Sequence, residues 1–267
     1  MRRGRATHRA RPAARTGATR RTSSRGGADE ASPAPFRVFV TATDTGVGKT
    51  EVASALLSLL ADAGLSPAPF KPYESGCAHL SRPADALALR AAARSTDPLD
   101  RICVHRFRAP LAPGVAARRM GRVPEFVAVL AAYRSFGHRA LVAEGAGGLL
   151  VPLDPRRDVI DLIEALQLPV VLVARAGLGT LNHTGLSLEL LSARRIPVRA
   201  VVLSRSSSGP DPSVEDNAVL LSKRHRVTVL GPVPFVADPA RRSRAFRSVL
   251  RPLLDRFAPA AGLATRS

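Results

Sequence analysis

The chain has 267 residues, 45% of them hydrophobic and 23% charged, with a formal net charge of +19. This length and hydrophobic fraction exclude a wholly disordered chain and allow one large domain or two small ones. No apolar run approaches the roughly 18 residues of a bilayer-spanning helix. Cys77 and Cys103, the only cysteines, lack the spacing of a cysteine–zinc site or a disulfide scaffold. A reducing, cytoplasmic setting is expected.

The positive charge alone would suit a nucleic-acid partner, because arginine and lysine neutralise phosphates. Its distribution argues otherwise. Arg2, Arg3, Arg5, Arg9, Arg11, Arg15, Arg20, Arg21 and Arg25 crowd the start, with no acid before Asp29. Lysine occurs only at Lys49, Lys71 and Lys223, so the placement of the first two carries information. No nucleic-acid or membrane partner is expected.

Residues 1–35 are rich in Arg, Ala, Ser, Thr, Gly and Pro and have no apolar periodicity. They are expected to form a disordered tail, since they cannot bury enough surface to offset ordering. They lack the apolar region of a secretory signal. The same composition fits a transit peptide or a nucleic-acid-binding arm. A neutral extension, or a start codon placed too early, is the reading adopted.

From Phe36 the pattern changes. Residues 36–42 read as a strand. A glycine-containing turn follows, then a helix over 50–62 with Val52, Ala53, Leu56, Leu57 and Leu60 at the helical period, stopped by Gly64. Strands are expected at 68–72, 140–143, 169–174, 198–204 and 227–230. Helices are expected at 85–94, 124–134, 159–166, 181–193 and 244–257, with a Ser/Gly/Pro loop at 206–212. The run 169–174 is almost wholly aliphatic, as a strand covered on both faces should be. Strands alternating with helices predict an α/β fold: three layers, α/β/α, around a mostly parallel sheet. One domain is expected over 36–257, with a flexible end at 258–267.

Thr43-Asp44-Thr45-Gly46-Val47-Gly48-Lys49-Thr50 lies between the first strand and the first helix, where a phosphate-binding P-loop belongs. Backbone N–H groups around Gly46 and Gly48 and the positive helix end can meet phosphate oxygens. Lys49 adds a point charge, and Thr50 offers a hydroxyl to Mg²⁺. The strict pattern asks for glycine where Thr43 stands.

Magnesium on a P-loop threonine also needs carboxylates. Glu144 follows a buried strand and opens Glu144-Gly145-Ala146-Gly147-Gly148. Ligands bind at that end of parallel strands, and the glycines permit close backbone approach. Asp85 starts a helix and reads as either a helix-terminal charge or a metal ligand. Lys71 ends the second strand, in Lys71-Pro72-Tyr73-Glu74-Ser75-Gly76, where a cation can meet an anion. The histidines show no metal-binding spacing, and Cys77 is expected to be a small buried thiol.

Together these residues resemble the dethiobiotin synthetase family, whose members carry GTDTxVGKT, KPxxSG, a DAL helix start, EGAGG and LGxxNH in that order. The counterparts here are Thr43–Thr50, Lys71–Gly76, Asp85-Ala86-Leu87, Glu144–Gly148 and Leu178-Gly179-Thr180-Leu181-Asn182-His183. The likeness runs over about residues 36–257. It implies a P-loop fold and ATP-driven closure of a cyclic urea from CO₂ and 7,8-diaminononanoate, through a carbamate and a mixed anhydride with phosphate. By this resemblance Lys71 and Lys49 are catalytic, and Thr50, Asp85 and Glu144 hold Mg²⁺. The nucleotide is met by Thr45, Gly46, Val47, Gly48, Lys49, Thr50, Glu51, Glu144, Gly145, Ala146 and Gly147. On the base side it is met by Ser204, Val233, Pro234, Phe235 and Asp238. The substrate is met by Thr43 and Ser75, and its carboxylate by Gly179 and Asn182, which the family takes from a partner subunit. A homodimer is therefore implied.

The sequence departs from the family in places. Ala42 replaces a glycine and would resist a positive φ. The family's SPH stretch reads Ala112-Pro113-Gly114. Ser204 stands where an adenine-reading asparagine is expected, so ATP is a family default. Cobyrinic acid synthetases share the loop type but use a glutaminase cysteine, and no cysteine follows Cys103. DNA-partitioning ATPases, the alternative suggested by the charge, carry an early loop lysine; this loop begins Thr41-Ala42-Thr43-Asp44.

Overall fold

A computed structural model describes residues 35–255. The expectations for the N-terminal tail and the C-terminal end fall outside them. The strands are β1 (Arg37–Ala42), β2 (Ala68–Phe70), β3 (Tyr73–Ser75), β4 (His105–Phe107), β5 (Leu141–Glu144), β6 (Val170–Arg175), β7 (Val198–Ser204) and β8 (Val229–Val233). The helices are α1 (Lys49–Asp62), α2 (Ala84–Ala92), α3 (Leu99–Ile102), α4 (Pro113–Arg119), α5 (Phe126–Ser135), α6 (Val159–Leu166), α7 (Thr180–Ala193), α8 (Val214–His225) and α9 (Pro239–Leu250).

Alternate residues of the strands face opposite sides, and both sides are apolar. Val38, Val40, Val142, Val171, Val173 and Val202 pack on one side with Val52, Leu56 and Leu60 of α1 and Phe246 and Leu250 of α9. Phe39, Leu141, Leu172, Val201 and Leu203 pack on the other with Ile160 and Ile163 of α6 and Leu188 and Leu191 of α7. The result is the expected three-layer α/β/α arrangement. The six-stranded sheet runs β2-β5-β1-β6-β7-β8, and all its pairings are parallel.

The chain leaves β1 through α1 on one face and leaves β5 through α6 on the other. Neighbouring strands whose connections part in this way open a crevice at their C-terminal ends. Val40 of β1 lies beside Glu144 of β5 in register, so the P-loop and Glu144 flank that crevice.

Several elements differ from expectation. The second strand stops at Phe70 because the Lys71 amide turns to the Ile102 carbonyl, 2.8 Å away. The chain then forms β3, which pairs with β4 in a small separate sheet. Neither β3, which reads Tyr-Glu-Ser, nor β4, which reads His-Arg-Phe, has an apolar run that could be read in advance. Helix α8 follows the Ser/Gly/Pro loop and was not expected, since it buries only Val214, Asn217 and Leu221. Strand β8 runs through Gly231 and Pro232, which is tolerated at a sheet edge. Helix α9 starts at Pro239, earlier than the expected 244. Asp238 caps it by accepting from the Arg241 amide at 2.7 Å, with proline at the first turn.

Candidate active site

The P-loop leaves β1 and turns directly into α1. Gly48 sits at the helix N-cap with φ +105°. A β-carbon there would also come within 3.3 Å of the Phe246 ring and 3.5 Å of the Ser204 hydroxyl. Glycine is favoured by the backbone conformation, and a side chain there would sit tightly against the ring. Ala42 ends β1 and is not among the non-glycine residues at positive φ, so its methyl causes no backbone strain.

Lys49 Nζ donates to the Asp44 carbonyl at 2.8 Å, curling the loop inward. The Asp44 carboxylate is held from outside by Arg175 Nη2 at 2.7 Å, at the end of β6. Across the crevice Glu144 is 1% exposed. Its Oε1 accepts from Thr50 Oγ1 at 3.0 Å and from Lys71 Nζ at 2.5 Å. Its Oε2 is buried with no hydrogen-bond partner. Lys71, 3% exposed, also donates to the Gly145 carbonyl at 3.1 Å and pairs with Asp85 Oδ2 at 3.0 Å. Thr50, Lys71, Asp85 and Glu144 thus meet from distant segments of the chain.

Charge and burial oppose each other here. Burial, then repulsion from Lys71, lowers Lys49 to about 8, against the pull of Glu144, Asp85 and Asp44. Burial alone would also lower Lys71. The adjacent carboxylates of Glu144 and Asp85 outweigh it and hold Lys71 protonated, above the ordinary lysine range.

These groups line a cavity of about 860 Å³. Of the expected residues, Thr45 to Glu51, Lys71, Ser75, Asp85, Glu144, Ala146, Gly147, Ser204, Pro234 and Phe235 line it. Others lie beside it or elsewhere. Gly145 sits behind the wall, where a β-carbon would strike the Phe39 ring at 2.8 Å. The Thr43 hydroxyl is buried without a hydrogen-bond partner. Val233 is buried in the sheet, and Asp238 caps α9. Gly179 and Asn182, at the start of α7, do not line this cavity.

The cavity also has walls that the sequence reading missed: Tyr73, Glu74, Arg205, Arg242 and Phe246. Arg242 approaches Glu51 at 3.9 Å. The Asp238-Pro239 pair is a helix-start signal that would have brought Arg242 into view. Both cysteines are free and buried, as expected for Cys77. Among the described residues no helix is long and apolar enough to cross a membrane.

A family model described as an AAA domain matches residues 37–242. A protein of Anaeromyxobacter dehalogenans (strain 2CP-C), named ATP-dependent dethiobiotin synthetase BioD, is 49% identical over 216 residues, covering 80% of this chain and 96% of that protein. One of the same name from Bacillus thuringiensis (strain Al Hakam) is 38% identical over 199 residues, covering 74% and 82%. Among solved structures, a ParA family ATPase from Chlorobium tepidum TLS aligns with a TM-score of 0.48 and 15% identity, over 81% of this chain and 91% of that one. Sequence identity of this extent, over nearly the full length of the first of these relatives, shows that the chain belongs to the ATP-dependent dethiobiotin synthetase family.

Proposed function

We propose that this ATP-dependent ligase closes a cyclic urea from CO₂ and 7,8-diaminononanoate. The observation that carries the reading is Lys71, buried and held protonated between Glu144 and Asp85 at the mouth of a P-loop. A fixed cation beside a phosphate loop suits a path on which every species is anionic.

In this reading the diamine takes up CO₂ as a carbamate. A carbamate oxygen attacks the γ-phosphorus, ADP leaves, and a mixed anhydride forms. The second amine then attacks the carbonyl carbon, loses a proton and expels phosphate. The loop amides and Lys49 hold the outer phosphates. Lys71 stabilises the carbamate and the transferring phosphoryl group. Ser75, on the cavity wall, contacts the diamine.

The residues present fit Mg²⁺. Thr50, Asp85 and Glu144 offer only oxygen donors, and Glu144 Oε2 is buried without a partner. Two carboxylates and a hydroxyl suit a cation whose remaining ligands are phosphate and water. Bound there, Mg²⁺ would neutralise phosphate charge.

Gly179 and Asn182 lie off the chain's own cavity, beside Leu178, which is 82% exposed. The reading therefore takes the carboxylate-binding element from a second copy, in a cytoplasmic homodimer.

Phosphate release from Mg·ATP and bicarbonate, measured with and without the diamine, tests this function. Release that requires the diamine, with a cyclic urea product, is the expected result. A folded, nucleotide-binding protein that ignores the diamine with every nucleoside triphosphate would overturn the reading. A second test concerns Lys49. Phosphate beside it favours its charged form. Nucleotide binding should therefore take up a proton near pH 8, where free Lys49 is half charged, and weaken as pH rises through that value. Calorimetry in two buffers of different ionisation enthalpy reads the uptake. Its absence would remove Lys49 from the phosphates.

A further inference from the structure

Helix α2 carries Asp85 in its first turn, yet its N-cap is Pro83, which offers no side-chain hydrogen bond. The first amides of a helix have no partner within it. Here they find one on another element. Glu74 of β3 is 4% exposed. Its Oε1 accepts from the Asp85 amide at 3.1 Å and its Oε2 from the Ala86 amide at 2.9 Å. Both oxygens are thus committed to the helix end, where a negative charge is also favoured by the helix dipole.

We propose that Glu74 is a positioning residue for the metal-binding carboxylate: it caps α2 from a distance and so fixes Asp85 against Lys71. The proposal rests on the reading of Asp85 given above. The Asp85 side chain is 39% exposed and pairs only on its Lys71 side, at 3.0 Å. Without a fixed backbone its carboxylate would be free to turn to solvent. Glu74 pins the Asp85 backbone, and it stands three residues from Lys71 in the same short segment. One stretch of chain therefore places the cation directly and the anion through the helix cap. The interior of Lys71-Pro72-Tyr73-Glu74-Ser75-Gly76 thus has a task distinct from that of its lysine.

The test uses the full chain. Glu74→Gln keeps the size but cannot accept both amides. It is made alone and together with Asp85→Asn. Mg²⁺-dependent ATP binding is read by calorimetry, turnover as kcat and KM, and stability as Tm. Outer-shell partners of this kind are worth about 10- to 100-fold in metal affinity or activity. A loss in that range is expected for Glu74→Gln in Mg²⁺-supported binding and in kcat, with metal-free ATP binding unchanged. In the Asp85→Asn background Glu74→Gln should cost nothing further. Pro83→Ser, which adds a local cap, should restore much of the loss in Glu74→Gln. If Glu74→Gln does not fold alone, the pair Glu74→Gln/Pro83→Ser is compared with Pro83→Ser. Equal losses with and without Asp85, or a lower Tm with unchanged Mg²⁺ dependence, would overturn the proposal. The binding arm stands even if no cyclic urea is formed, so failure of the assigned reaction is read separately.

Discussion

Lys71→Ala is expected to abolish turnover, with a loss of at least about a hundred- to a thousandfold, the scale for removing one preorganised donor from a reacting anion. Lys71 is the buried cation that joins Glu144, Asp85 and the Gly145 carbonyl, so no neighbour can take its place. The variant also leaves Glu144 buried with its charge unpaired. Breaking a buried pair in this way costs about 3–5 kcal/mol when the remaining charge persists. Glu144 has a way out, because burial already raises its carboxyl against the pull of Lys71. With Lys71 gone it rises further and takes up a proton. A carboxyl raised in the folded state favours folding at acid pH, and the benefit fades as pH climbs. The deficit in Tm should therefore widen as pH climbs above the ordinary carboxyl range. Phosphate-release assays and melting curves over that rise in pH check both claims. Near wild-type turnover would remove Lys71 from the mechanism, and a pH-independent Tm deficit would deny Glu144 its proton.

Glu144→Gln should lose about a hundredfold or more in turnover, on the same scale. The amide keeps the size and can still accept from Thr50, but its charge is gone. Two effects follow. Mg²⁺-supported nucleotide binding weakens, while metal-free binding holds or improves because one negative charge has left the phosphate site. Lys71 also loses the stronger of its two carboxylate partners, so burial pulls its pKa down from its raised position. An alkaline fall in kcat should then appear in the variant at a pH where the wild type is still flat. The pH–rate profiles of both proteins decide this. Unchanged Mg²⁺ dependence together with an unchanged alkaline limb would show that Glu144 serves neither role.

The sequence made the strands on either side of the crevice legible because their period and their ends are local properties. Residues 198–204 carry an aliphatic run at 200–203 and form β7 with those bounds. The P-loop needed only a strand, a glycine turn and a helical period in succession. Lys71 and Glu144 were legible because both stand at the ends of short buried strands, and in a parallel sheet all such ends lie on one side. The missed elements have the opposite character. Strands β3 and β4 have no apolar run, and α8 exposes most of its surface. The late reading of α9 left Arg242 outside the expected helix.

The sequence by itself determined the layered parallel fold and the phosphate loop, and it singled out Lys49, Lys71 and Glu144 as candidates beside that loop. These follow from periodicity and from residue order, which are written along the chain. Only the tertiary structure decided who touches whom. Asp85 reads from sequence as a helix charge or a ligand, and only its 3.0 Å approach to Lys71 places it in the cluster. Glu74 occupies a variable place in a motif, and only the packing of β3 against the end of α2 makes it a cap. Such contacts join separate elements, through charged groups whose partners no local pattern encodes. Their geometry exists only once the core on both faces of the sheet has closed.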